Sequence, residues 1–212
     1  WATVSTTPAD DSVTLAKMAP GTDGNIISYD ASGNPVAIAT GSDGQVLTSA
    51  GAGQPCAFET LSAGKVVQVV NVMNGAVATG TTAVPDDDTI PQKTEGDEYM
   101  TLAVTPTHAS NKLFIEVVVN GDCGGEKVIT AALFQDTTAG ALAAAQSTRD
   151  GASNDQHQIT FNHYMAAGTT SATTFKIRAG GASNTFTFNG HSAGRLLGGV
   201  MASSITITEI KV

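Results

Sequence analysis

The chain has 212 residues, and its ten Lys and Arg against 19 Asp and Glu leave a net charge of −9, so it lacks the basic footprint of a dedicated nucleic-acid binder. Charged residues are only 14% of the chain, while hydrophobic residues, mostly Ala and Val, reach 41%, which is too apolar for a wholly disordered polypeptide. No apolar run approaches the ~18 residues of a membrane-spanning helix, and no membrane insertion is expected.

The chain starts at Trp1 without a basic-then-apolar leader, so it is expected to be processed or to be a piece of a longer protein. Residues 1–64 are a low-charge stretch in which 34 positions are Ala, Gly, Ser or Thr and the single base is Lys17. Large apolar residues there come singly or in pairs, as in Ile26-Ile27, Val46-Leu47 and Phe58. So little apolar surface cannot offset the entropy of ordering the segment, and residues 1–64 are expected to form an extended shaft or anchor rather than a domain with its own core.

Within that segment the sequence repeats. Residues 21–38 (GTDGNIISYDASGNPVAI) and 41–58 (GSDGQVLTSAGAGQPCAF) align with 12 identical or conservative pairs in 18 positions at a period of 20, which marks a repeat architecture. Each copy predicts an Asp-Gly turn (Asp23-Gly24, Asp43-Gly44), a short apolar strand, a second turn with Gly then Pro (Gly33-Asn34-Pro35, Gly53-Gln54-Pro55), and a second extended run. Stacked repeats or several chains about one axis would bury the Ile, Val and Leu pairs. A flexible linker would have no use for such register.

Residues 65–212 predict a β-rich head. Strand-like runs are KVVQVVNV (65–72), EYMTLAV (98–104), KLFIEVVV (112–119), KVITAALFQ (127–135), HQITFNHYM (157–165), TTFKIRA (173–179), NTFTFN (184–189) and SSITITEI (203–210). Val117–Val119 are all apolar, which predicts cover on both faces. A change of apolar parity from Ile205 and Ile207 to Ile210 and Val212 predicts a bulge. Turns are expected at Asn74-Gly75, Asn120-Gly121, Gly124-Gly125, Gly180-Gly181 and Gly198-Gly199. The one helical candidate is Ala139–Gln146, whose Ala and Leu content would equally suit a strand. About eight strands in this length make a β-sandwich or jelly roll.

No string in the head carries chemistry persuasively. Gly190-His191-Ser192-Ala193-Gly194 matches the G-x-S-x-G nucleophile elbow, yet that motif needs a helix to follow and an acid and then a His downstream of the serine. No His follows Ser192, and Glu209 is the sole acid. His108, His157, His163 and His191 lack metal-ligand spacing, and His157 and His163, six apart on one strand, span roughly 20 Å. Asp86-Asp87-Asp88 between Pro85 and Pro91 offers hard oxygen ligands but not the alternate spacing and glycine turn of a calcium loop. It is expected to be a solvated loop, as is the stretch Glu95–Glu98. Cys56 and Cys123 suggest no disulfide framework, and Cys123 is expected in a turn with no sign of thiol activation. The expectation is therefore no catalytic, cofactor or metal residues, and not an enzyme.

The repeats, with Asp11-Ser12-Val13-Thr14-Leu15-Ala16-Lys17-Met18 upstream, resemble the shaft repeats of tail-fibre and related virion-surface proteins of tailed bacteriophages. TPTHASNKLFIEVVV (105–119) and SSITITEI (203–210) resemble the jelly-roll heads, broadly of the C1q/TNF type, that cap such fibres. The resemblance implies an all-β homotrimer with a Gly-rich shaft and a β-sandwich head, placed on the virion as a tail fibre or on the capsid surface. Its implied partners are copies of itself, other virion proteins through the N-terminal segment, and a host-surface glycan or envelope protein. The alternative within the same architecture is a capsid decoration, cement or head-fibre protein. The family offers no shared site residues to carry over.

Overall fold

A computed structural model describes residues 20–61, 65–125, 128–149 and 156–212. The chain divides into two compact units, Trp1–Ser62 and Ala63–Val212. The Asp11–Met18 string lies outside the described residues.

In the first unit both copies of the repeat fold as antiparallel hairpins. Ile26–Tyr29 (β1) pairs with Pro35–Ile38 (β2), and Gln45–Thr48 (β3) pairs with Ala57–Thr60 (β4). The glycines that recur in the alignment have the same left-handed backbone in both copies: φ is 78° at Gly24 and 81° at Gly44, and 79° at Gly33 and 74° at Gly53. Only glycine adopts this region without cost, so the repeat preserves backbone geometry rather than side-chain chemistry. Asn25 extends the first copy toward the second, its Oδ1 accepting from the Thr40 amide at 3.0 Å. Little is buried here. Ile27 is 56% exposed, Tyr29 63% and Leu47 46%, and Ile38 is the one core-class apolar residue described in the unit.

The second unit is a two-sheet sandwich. Its strands are Val66–Asn74 (β5), Ala78–Gly80 (β6), Asp97–Val104 (β7), Lys112–Cys123 (β8), Val128–Gln135 (β9), Ala143–Thr148 (β10), His157–Ala166 (β11), Thr173–Gly181 (β12), Phe186–Phe188 (β13), Gly190–His191 (β14), Gly194–Arg195 (β15) and Ser203–Ile210 (β16). One sheet runs β10-β9-β12-β7; the other runs β5-β16-β8, with β11 on the far edge of β8. The short strands β6 and β13 continue this second sheet past the ends of β5 and β16, because β13 takes over the edge of β8 at Gly121–Cys123 where β16 stops at Val118. Counting β5/β6 as the first strand and β13/β16 as the eighth, the sheets read 1-8-3-6 and 2-7-4-5. That is the strand order of a jelly roll.

Alternation places the core between the sheets. Leu113, Ile115, Val117 and Val119 of β8 and Ile205 and Ile207 of β16 face Ile129, Ala131 and Leu133 of β9 and Phe175, Ile177 and Ala179 of β12, all at most 1% exposed. A register shift in β7 leaves Tyr99 unmatched between the Met100 and Glu98 pairings and brings its ring to the core. There it stacks on Phe188 (4.7 Å between centroids, 11°) and meets Phe186 edge-on (5.4 Å, 68°). Burial, with Asp97 and Cys123 nearby, pushes its phenol well above the ordinary value.

Several expectations are corrected. Ala139–Gln146 forms no helix; Ala143–Thr148 is the edge strand β10, paired with β9 from Ala143↔Leu133 to Thr148↔Val128, because small residues fit closely beside Ala131 and Ala132. Asn120-Gly121 is no turn, since β8 runs on to Cys123, which is a buried strand residue. Gly121 is required by a close approach: a Cβ there would stand 2.5 Å from the Phe186 ring and 2.6 Å from the Thr187 carbonyl. Gly180-Gly181 likewise ends β12, and a Cβ on Gly180 would meet the Thr82 carbonyl at 2.7 Å. Val118 is half-buried rather than covered like Val117 and Val119. The bulge expected near Ile210 is present against β5, between Glu209 and Ile210.

Where β16 gives way to β13, polar side chains fill the join. Asn189, fully buried with φ 53°, donates through Nδ2 to the carbonyls of Asn74 (2.6 Å) and Ala76 (3.1 Å) and accepts from Ser203 Oγ (2.8 Å). Ser203 Oγ in turn accepts from the Asn120 amide at 2.9 Å. The Asn120 amide and the Asn74 and Ala76 carbonyls, at the two strand breaks, thereby gain side-chain partners.

Candidate functional site

The Gly190–Gly194 string is a hairpin, not a nucleophile elbow. β14 and β15 pair through Gly190↔Arg195 and His191↔Gly194, and the two residues between them, Ser192 and Ala193, have φ 47° and 60°. Positive φ at both central residues is the pattern of a type I′ turn, which returns the chain on itself. The elbow would have sent it into a helix. The Ala193 amide donates to Thr187 Oγ1 at 3.1 Å, which fixes the hairpin tip over β13.

The four histidines do not converge. His108 Nδ1 lies 2.8 Å from Ser110 Oγ in a loop. His157 is 2% exposed and its Nδ1 is 3.0 Å from Ser147 Oγ, linking β11 to β10. His163 lies farther along β11, opposite Ile115, and His191 is on the hairpin.

The acidic stretches serve local structure. Asp87 Oδ1 accepts from the amide and hydroxyl of Thr89 at 2.9 and 2.5 Å, and Asp86 Oδ1 accepts from Gln146 Nε2 at 3.2 Å. Glu95–Glu98 is not a plain solvated loop as expected, because β7 begins at Asp97. Asp97 accepts from the Thr82 amide and hydroxyl at 3.0 and 2.8 Å, and Glu98 faces Lys176 and Arg178 at 3.4 and 3.6 Å. Arg178 also donates to the carbonyls of Glu95 (2.9 Å) and Gly96 (2.6 Å), tying the segment to β12. Among the described residues no group of three or more His, Cys, Asp or Glu is placed to hold a metal ion. Cys56 and Cys123 are not joined in a disulfide, and the buried Cys123 thiol donates to the Asn184 carbonyl at 3.4 Å.

Sequence reasoning passed over a buried carboxylate. Glu209 has the inward parity of Ile205 and Ile207, and it is fully buried. Burial alone would raise its pKa. Hydrogen bonds from Gln68 Nε2 (2.5 Å), Asn111 Nδ2 (2.6 Å) and the Thr107 hydroxyl (2.8 Å) and amide (2.9 Å) outweigh that and hold it at about 2. The carboxylate thus clamps the 105–111 loop to β5 and β16. The signal was legible: the inward parity of Ile205 and Ile207, carried one step further, lands on an acid at Glu209.

The other feature missed is a surface. Cross-strand registers put Val69, Thr208, Phe114 and Tyr164 in one row across the outer face of the β5-β16-β8-β11 sheet. Val69 and Tyr164 are each 57% exposed, and Met73, two positions along on the same face, is 70% exposed. Phe114 and Val118 between them are only half-buried. This largely apolar row, which borders the polar row of Asn71, Thr206, Glu116 and Asn162, could be read only after the pairing was known.

No family model and no curated protein matches the sequence. Among solved structures, the chain is similar to the Eiger TNF of S. frugiperda (TM-score 0.38, 9% identity, 67% of this chain and 92% of that one). It is also similar to the infectious bursal disease virus VP2 subviral particle (TM-score 0.36, 10% identity, 74% of this chain and 35% of that one) and to the sugar-binding EclA C-terminal domain (TM-score 0.34, 15% identity, 53% and 73%). These are distant likenesses, and the jelly-roll assignment rests on the strand order described above.

Proposed function

We propose that this chain is a structural protein of a tailed-bacteriophage virion surface, acting as a homotrimeric fibre whose jelly-roll heads attach to a host-surface glycan or envelope protein. The observation that carries the reading is the first unit. Two hairpin repeats with matching glycine geometry leave Ile27 and Tyr29 more than half exposed and Leu47 nearly so, an arrangement that is stable when further copies cover the apolar side chains. The Val69–Phe114–Tyr164 row gives the head an apolar strip of its own on which a neighbouring copy can pack. Three tethered heads would then act together, each site weak and the assembly avid. The N-terminal segment would join the other virion proteins.

The first test is the solution mass of the intact chain, expected at three times 21.4 kDa; a monomer at micromolar concentration would overturn the reading. The second is binding of the assembled protein to host cells and to glycan arrays, where failure on both removes the attachment role. Immunogold labelling of virions is expected at tail tips. Labelling over the capsid would instead make the protein a decoration or cement of the shell.

A further inference from the structure

We propose that the cleft beneath the Gly190–Arg195 hairpin binds a divalent cation of the hard, oxygen-preferring class, with Asp122 as its charged ligand. Asp122 lies on the outer face of β8, directly across the ladder from Thr187 of β13. The hairpin closes over it from both sides: Gln156 Nε2 donates to the Gly190 carbonyl at 3.0 Å, and the Ala193 amide donates to Thr187 Oγ1 at 3.1 Å. The result is a cleft of about 360 Å³ lined by Asp122, Asn184, Thr185, Thr187 and Ser192 with Gly124 and Ala193. Asp122 is 1% exposed, and its Oδ2 is buried without a hydrogen-bond partner. The side-chain oxygen Oε1 of Gln156, at the start of β11 on the other side of β8, is likewise buried and unpartnered.

The fold treats Asp122 unlike Glu209. The two are the buried carboxylates of the same sheet, and Glu209 receives four hydrogen bonds while Asp122 Oδ2 receives none. A buried carboxylate oxygen left bare is costly, and a fold relieves it with donors or with a cation. Among the described residues the lining supplies hydroxyl and amide oxygens and no basic side chain. Those described residues include no thiol or imidazole side chain, so oxygen donors set the site's preference and calcium-type coordination is favoured over zinc-type. One carboxylate among neutral oxygens places the affinity on the order of 10⁻⁴–10⁻³ M, the range of extracellular calcium modules.

The experiment uses the intact protein stripped with chelator, titrated with CaCl₂ by calorimetry and melted with and without about 10 mM CaCl₂, alongside two variants. Asp122→Asn keeps the shape and removes the charge, and Asp87→Asn removes a carboxylate from the exposed loop. Wild type and Asp87→Asn are expected to bind calcium and to melt several degrees higher in its presence. Asp122→Asn is expected to bind at least tenfold more weakly and to lose the shift, while melting in chelator no lower than wild type. Absence of binding to wild type at about 10 mM, or an undiminished response in Asp122→Asn, would overturn the proposal. Should Asp122→Asn fail to fold, Thr187→Val, which removes a hydroxyl oxygen from the cleft lining, takes its place and is expected to weaken calcium binding, an undiminished response again overturning the proposal.

Discussion

Replacing Asn189 tests whether the join between β13 and β16 holds the second sheet together. Asn189→Ala removes two donated hydrogen bonds, to Asn74 and Ala76, and one accepted from Ser203, all at a fully buried place. Each partner left unsatisfied costs about 1 kcal/mol. Alanine at φ 53° adds about 1 kcal/mol of backbone strain, for a total near 4 kcal/mol. Asn189→Gly loses the same hydrogen bonds without the strain, so it is expected to recover about 1 kcal/mol of that loss. For a head of this size the alanine variant should melt roughly 10 °C lower. The assay is urea and thermal unfolding of wild type and both variants at one protein concentration, because association would make the midpoints concentration-dependent. A loss under about 3 °C for Asn189→Ala would refute the view that the join is structural, and equal losses for Ala and Gly would refute the strain component.

Three further outcomes are expected. Glu209 titrates near pH 4.5 when unfolded and at about 2 when folded. Its contribution, about 3 kcal/mol for a shift of that size, should be complete above about pH 4.5 and lost as pH falls toward 2. Denaturation curves should show this slope, and Glu209→Gln should flatten it. Gly121→Ala sets a methyl against the Phe186 ring and the Thr187 carbonyl, so it should destabilise the head by about 2 kcal/mol in urea titration; a neutral result would mean that β13 moves freely. Ala193→Gly relieves an L-residue at φ 60° in the hairpin turn and should raise the melting temperature by a degree or two, equivalent to about 0.5–1 kcal/mol.

Much of this architecture is encoded locally. The alternation of Phe175, Ile177 and Ala179 with Thr174, Lys176 and Arg178 places β12 and its inner face, and the matched Asp-Gly and Gly-Pro turns place both hairpins of the first unit. Inward and outward orientation follows from a period of two, which any short window contains. What the tertiary structure decided is which strands meet. Gly121 and Gly180 look like turn glycines in the sequence, but one makes room for the Phe186 ring and the other for the Thr82 carbonyl, each more than 60 residues away along the chain. Ala139–Gln146 reads equally as helix or strand until β9 offers an edge to pair with. Asp122 carries no signal between Gly121 and Cys123 until the hairpin folds over it, and the Val69–Phe114–Tyr164 row exists only once three registers are set. Local sequence fixes the direction in which a side chain points; its neighbours depend on contacts between distant segments, which no local pattern contains.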